Sequence, residues 1–180
     1  MRALVVYESM FGNTEAIAEA IAEGLRSQMD VEIADVASAP EWIPRDVGLM
    51  VVGGPTHAFS MSRPQTREAA AKQAGHTVTP ESVGLREWLA GLEWVGAGNQ
   101  PGTVAAAAFD TRVDRPRLPG SAARKAYKRL RRLGFEVVEP AMSFWVEGTP
   151  GPLEPGEETR ARRWGEDLAS IVTGVPGLLV

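Results

Sequence analysis

Two stretches of this chain are apolar without alternation: ALVVY (3–7) and VGLMVVGG (47–54). A strand with one wet face alternates apolar and polar residues, so a continuous apolar run marks a strand covered on both faces. Cover on both faces comes from helices, and helical patterns follow. After ALVVY, the segment 14–27 places Ile17, Ile21 and Leu25 on one stripe, with Ala16 and Ala20 beside it. That spacing has the helical period. VEIADV (31–36) alternates as a strand does. Helical patterns return at 66–73 and 81–91, separated by Gly75 and Pro80. GTVAAAAFD (102–110) reads as a strand on its length and flanking residues, and 120–133 as a strongly basic helix stopped by Gly134. FEVV (135–138) and SFWV (143–146) read as strand segments around Pro140. A last helix begins near Pro155, a residue suited to a first helical position. It carries Trp164, Leu168 and Ile171 on one face. The segment SAPEWIPRD (38–46), between the second and third strands, has room for only a short helix.

Strands alternating with helices predict an α/β fold: a doubly wound five-stranded parallel sheet with helices on both faces. Ligands of such sheets lie at the carboxyl ends of the strands, where the strand order reverses. Three loops therefore carry the functional expectation: 8–14, 54–64 and 110–119. No internal repeat or linker divides the chain, so residues 1–180 read as a single domain.

Composition narrows the chemistry. There is no cysteine, which excludes disulfides, thiolate catalysis and cysteine metal sites. The two histidines, His57 and His76, are far apart in sequence, so no metal site is expected. No Ser-His-Asp set or pair of acid–base carboxylates stands out. The net charge of −4 points to neither nucleic acid nor a membrane surface. No apolar stretch has the length of a membrane span, and the first residues lack a signal peptide's long apolar segment. The reading is cytoplasmic.

The first loop admits direct tests. A Walker loop needs GxxxxGK[ST], and this loop has no lysine. A dinucleotide fingerprint needs GxGxxG, and only Gly12 is present. A phospho-receiver domain needs acidic residues after the first strand and an Asp at the third strand's end. The third strand here ends GGPTH instead.

What remains is SMFGNT, from Ser9 through Met10, Phe11, Gly12 and Asn13 to Thr14. It resembles the FMN-phosphate loop of the flavodoxin family, whose pattern is [ST]-x-[ST]-G-[NH]-T. Ser9, Gly12, Asn13 and Thr14 match; Phe11 stands where the family has a hydroxyl residue. GGPTHAF after the third strand, FDTRV after the fourth and EGTPGPLEPGE before the last helix extend the resemblance over most of the chain. The physics suits an uncharged loop: backbone N–H groups at a helix N-terminus are unpaired and the helix dipole favours an anion. The hydroxyl missing at Phe11 is worth about 0.5–1.5 kcal/mol of phosphate binding.

The resemblance implies strand order 2-1-3-4-5 and FMN as cofactor. The isoalloxazine ring would lie between the loop containing Pro55, Thr56, His57, Ala58 and Phe59 and the loop containing Phe109, Asp110, Thr111 and Arg112. His57 and Phe59 are candidates for one ring face. The second loop lacks the aromatic that many flavodoxins place on the other face, which leaves that face more open, and Phe109 at the strand end can point inward instead. Arg112 is a candidate for a position over the ring or at its pyrimidine edge.

The function implied is electron transfer, the protein acting as a carrier more than as a stand-alone oxidoreductase. Two alternatives stay open: an FMN-dependent NAD(P)H:quinone or flavin reductase, and a binding module that has weakened or lost FMN. The charge pattern departs from the acidic habit of flavodoxins. Residues 111–132 hold nine basic side chains against one acid, Asp114. This 112–132 segment would attract an acidic redox partner or a phosphorylated substrate. No aromatic platform for nucleic acid is interleaved with it. Trp88, Trp145 and Trp164 read as core, Trp94 as a loop residue. The apolar tail VPGLLV (175–180) has no assigned role.

Overall fold

A computed structural model describes residues 1–57, 59–75, 83–92, 102–114 and 119–174. Trp94, the tail 175–180, and Ala58, Arg115 and Arg117 of the candidate loops lie outside the described residues. In chain order the elements are β1 (Arg2–Tyr7), α1 (Asn13–Leu25), β2 (Asp30–Asp35), β3 (Val47–Pro55), α2 (Pro64–Ala74), α3 (Leu85–Gly91), β4 (Ala105–Val113), α4 (Ala122–Arg132), β5 (Glu136–Val137), β6 (Met142–Val146) and α5 (Glu157–Thr173).

The strands form one parallel sheet in the order β2-β1-β3-β4-β5, as expected. β6 also pairs with β4: Glu136 and Val137 face Ala105 and Ala106, whereas Met142–Val146 face Phe109–Val113. The fifth position is thus one strand broken in two. Pro140 lies in the break, and a proline cannot donate to a ladder.

Alternate residues of the central strands feed two cores. Ala3, Val5, Leu49, Val51, Ala105 and Ala107 pack under α1 and α5. Leu4, Val6, Met50, Val52, Ala106 and Ala108 pack under α3 and α4. The α1 stripe is as expected: Ile17, Ile21 and Leu25 are fully buried, each contributing about 1.5–3 kcal/mol. The segment 38–46 contains no helix. It is held instead by Ile43, buried in the second core, and by the Trp88 indole N–H, which donates to the Pro40 carbonyl at 3.0 Å.

Trp88 and Trp164 are core residues, each 5% exposed. Trp145 is not. It is half-buried, and the Arg112 guanidinium lies 5.7 Å from its ring centroid. It stands on β6 at the sheet's edge, where no further strand among the described residues covers it. No helix among the described residues is long and apolar enough to cross a membrane.

Candidate functional site

Because the sheet is parallel, β1, β3, β4 and β6 end on the same edge. The order reverses between β1 and β3: the chain leaves β1 toward β2, then crosses back to β3. A small cleft opens at this point. Its walls come from Ser9–Phe11, Asn13 and Thr14 after β1, Pro55–His57 after β3, Thr111–Val113 on β4, and Val146 and Thr149 after β6. Sequence positions from all three expected loops therefore meet in one place.

The floor of the cleft is the start of α1. Gly12 has φ +84° and leads into the helix without any side-chain cap. The first N–H groups of α1 consequently have no partner within the helix. Ser9 Oγ is buried and has no hydrogen-bond partner among the described residues. A buried, unpaired hydroxyl costs about 1–3 kcal/mol, and an anion at the helix start would satisfy it. The other polar groups are already placed. Thr14 Oγ1 and Thr111 Oγ1 share a buried hydrogen bond of 2.7 Å. Asn13 Nδ2 donates to the Pro150 carbonyl at 3.1 Å, tying the loop to the segment after β6. Phe11 lines the cleft with its ring and adds no donor. The cleft encloses about 50 Å³, on the scale of a few water molecules. That volume suits a phosphate-sized group and is too small for a ring as large as isoalloxazine.

The ring-side loops divide by direction. His57 and Ser60 exchange both backbone hydrogen bonds, at 2.8 and 3.0 Å, closing a tight turn. Phe59 sits in that turn at φ +70° and is 50% exposed. A left-handed phenylalanine is strained, and an exposed one is presented to whatever binds there. His57 lines the cleft. Burial holds its imidazole below the usual histidine range, so it is neutral near neutral pH. Its Nε2 is buried without a partner among the described residues. Arg112 also lines the cleft.

Phe109 and Asp110 do not face it. Phe109 is fully buried in edge-to-face contact with Phe144 and Trp164, at centroid distances of 6.2 and 6.4 Å. Its ring lies across Gly53 of the neighbouring strand, where a Cβ would fall 2.1 Å from it; this is one reason β3 ends in glycines. Asp110 points the other way and is also fully buried. Its Oδ2 accepts from Thr56 Oγ1 at 2.8 Å, Ser121 Oγ at 2.6 Å and the Ala123 N–H at 3.0 Å. Thr56 Oγ1 in turn accepts from the Ala122 N–H at 2.8 Å, and the Thr56 N–H donates to the Thr111 carbonyl at 2.9 Å. Asp110 is therefore the knot joining β4, the loop after β3 and the start of α4. Its charge also suits that helix N-terminus. Neither side chain lines the cleft; both position the loops that do.

Three contributors escaped the sequence reading. Ser121 caps α4 by accepting from the Arg124 N–H at 3.1 Å; its place before a basic helix was the available signal. Thr149 enters through the segment after β6. Glu8, directly before the loop, is 4% exposed. Its Oε2 accepts from the Leu85 N–H at 2.8 Å. Burial pushes its carboxyl above the usual range, against the opposing pull of the Ser62 hydroxyl, the Leu85 N–H and the Arg67 guanidinium. Around it, Arg67 donates to Ser62 Oγ and Glu87 at 2.9 and 3.0 Å, and Arg86 donates to Ser60 Oγ at 3.0 Å. This cluster fastens the turn 57–63 to α3. A lone acid at the end of an apolar strand was the signal for it.

Comparison with known proteins agrees with this geometry. Residues 5–83 match the flavodoxin family model; no curated protein matches the sequence. A flavodoxin from the domain Archaea shares the fold at a TM-score of 0.62 and 23% identity, with 96% of this chain and 99% of that one covered. Flavodoxin 1 from Bacillus cereus aligns at 0.67 and 17% identity over 98% and 100% of the chains. The flavodiiron protein from Giardia intestinalis aligns at 0.61 and 18% identity over 96% of this chain and 36% of its own. The resemblance carried by SMFGNT is borne out by the family match over residues 5–83, and the chain has the flavodoxin-like fold.

Proposed function

We propose that this chain is an FMN-binding electron-transfer protein of the cytoplasm, with the FMN phosphate seated by Ser9–Thr14. The observation that carries this reading is the pairing of an uncapped α1 N-terminus with the orphaned, buried Ser9 hydroxyl. Together they form a donor set for a phosphate and for little else in a cleft of this size. Backbone N–H groups and hydroxyls do the binding, so no lysine is required. Thr14 is held to β4 by its bond to Thr111, which fixes the seat against the ring-side loop. Bound FMN would supply one- or two-electron chemistry. The side chains hold and shield it: His57 presents a neutral ring, Phe59 an exposed aromatic face, and Arg112 a cation beside the cleft. Phe11 removes one hydroxyl donor, so the phosphate is held less tightly than by the full family pattern.

The redox partner in this reading is acidic. Arg124, Lys125, Lys128, Arg131 and Arg132 of α4 are all exposed, and α4 begins directly beside the loops that flank the cleft. Complementary charge of this kind raises encounter rates and makes them salt-dependent.

The test is the visible spectrum of the purified protein before and after FMN is added, with quenching of free FMN fluorescence as a second readout. Flavin absorbance and quenching are expected. A colourless protein that leaves FMN fluorescence unchanged overturns the reading and favours a domain that has lost its cofactor.

A further inference from the structure

Beyond β6 the chain turns back on itself in a short hairpin. Val146 and Leu153 form an antiparallel bridge. The Glu154 N–H donates to the Trp145 carbonyl at 3.0 Å, and the Glu147 N–H to the Pro152 carbonyl at 2.9 Å. The tip is a tight turn, closed by the Gly151 N–H donating to the Gly148 carbonyl at 2.9 Å. This tip is seated on the start of α1. Asn13, the first residue of that helix, donates from Nδ2 to the Pro150 carbonyl at 3.1 Å. Gly151 has φ +101°, and a Cβ there would fall 2.5 Å from Asn13 Oδ1. A larger residue would lift the tip off the helix.

The tip brings Thr149 into the lining of the cleft. Five of the described residues that line it carry a hydroxyl: Ser9, Thr14, Thr56, Thr111 and Thr149. Three of these are engaged by the protein. Thr14 and Thr111 bond each other at 2.7 Å. Thr56 Oγ1 donates to Asp110 and accepts from the Ala122 N–H, both at 2.8 Å. Ser9 Oγ is buried without a partner among the described residues. Thr149 is exposed and makes no hydrogen bond among them. Its hydroxyl is thus the one donor that reaches the cleft from outside the loop 9–14 and has no protein acceptor. Phe11, in the same lining, offers a ring where the loop pattern has a hydroxyl. We propose that Thr149 supplies part of what Phe11 removes: the hairpin tip is a second wall of the phosphate seat, and Thr149 Oγ1 donates to the phosphate. The inference rests on the FMN reading above and adds to it a contact distant in sequence from the loop. Pinning the tip to Asn13 places the hydroxyl in advance, so binding loses little freedom in ordering it.

The experiment is fluorescence-quenching titration of the flavin-free protein with FMN and with riboflavin, for wild type, Thr149→Val and Thr149→Ser. Valine keeps the branched shape and drops the hydroxyl; serine keeps the hydroxyl. The position is exposed, and an unchanged urea midpoint checks that both variants fold as wild type does. Thr149→Val should weaken FMN by about tenfold, as expected for one hydrogen bond to a charged group. Its affinity for riboflavin should change by less than about twofold, and Thr149→Ser should bind FMN within about twofold of wild type. Equal weakening of both flavins by Thr149→Val overturns the proposal, because the residue would then act through the shape of the tip. A serine variant as weak as the valine variant overturns it for the same reason. Wild-type protein that prefers FMN to riboflavin, with Thr149→Val keeping the full preference, leaves the phosphate at the loop and removes Thr149 from it. Wild-type protein that binds neither flavin overturns the seat and Thr149 with it.

Discussion

Replacing Ser9 with alanine should move two measurements in opposite directions. Ser9 Oγ is buried without a partner among the described residues. In the flavin-free protein the hydroxyl is therefore a liability, and leaving it unpaired costs about 1–3 kcal/mol. Removing it cannot cost a hydrogen bond. The stability of the Ser9→Ala apoprotein should hold, or rise by up to about 1–3 kcal/mol. With FMN the same hydroxyl gains a charged acceptor, and hydrogen bonds to charged groups are worth about 1.5–3 kcal/mol. The variant should bind FMN about 10- to 150-fold more weakly. Urea unfolding of the apoprotein gives the first quantity and FMN fluorescence quenching the second. A loss of apoprotein stability above about 1 kcal/mol would show that Ser9 has a structural partner. Unchanged FMN affinity would show that the phosphate is not at this loop. Either result refutes the reasoning. Phe11→Thr is the reciprocal change: the restored hydroxyl should tighten FMN about 2- to 12-fold.

Three further outcomes follow from the packing around the cleft. Asp110→Ala strands two buried donors and one half-buried donor and should destabilise the apoprotein by about 3–5 kcal/mol in urea unfolding, with FMN binding weakened because both loops beside the cleft lose their tie; a change below about 1 kcal/mol would mean that the knot is not holding them. Glu8 titrates in the folded state above its unfolded value, so the unfolded chain releases its proton first as pH rises, and wild-type stability relative to Glu8→Gln should fall on going from about pH 4 to about pH 8; a gap that does not change with pH contradicts a raised folded-state pKa. At Gly120, where φ is +86°, an added Cβ would lie 2.1 Å from the Phe59 carbonyl oxygen, so Gly120→Ala should push the two ring-side loops apart and lower thermal stability, a shift absent if the turn yields freely.

Most of the fold was legible because its determinants are local. The unbroken apolar runs of β1 and β3 and the Ile17–Ile21–Leu25 stripe each follow from one residue's neighbours in sequence. The loop proposed to hold the phosphate was legible for the same reason: strand, loop and helix start are contiguous from Val6 to Thr14. What could not be read was direction. Phe109 and Asp110 are adjacent, so they leave the sheet on opposite faces, one under Trp164 and the other at the start of α4. For Phe109 the inward direction was one of two open readings, and for Asp110 proximity to a loop said nothing of the choice. Trp145 was assigned to the core by its place on the face of an expected strand. Its exposure depends on β6 being an edge strand, which is a property of sheet order. Glu8 looked like the first loop residue, and its burial arises from α3, distant in sequence.

The central claim is that the loop from Ser9 to Thr14 holds the phosphate of FMN. The most direct test compares the affinity of the flavin-free protein for FMN and for riboflavin, which differ only by that phosphate. The account predicts that FMN binds more tightly by about two orders of magnitude or more, as expected for several charge-assisted hydrogen bonds. Equal affinities, or no binding of either flavin, would contradict it.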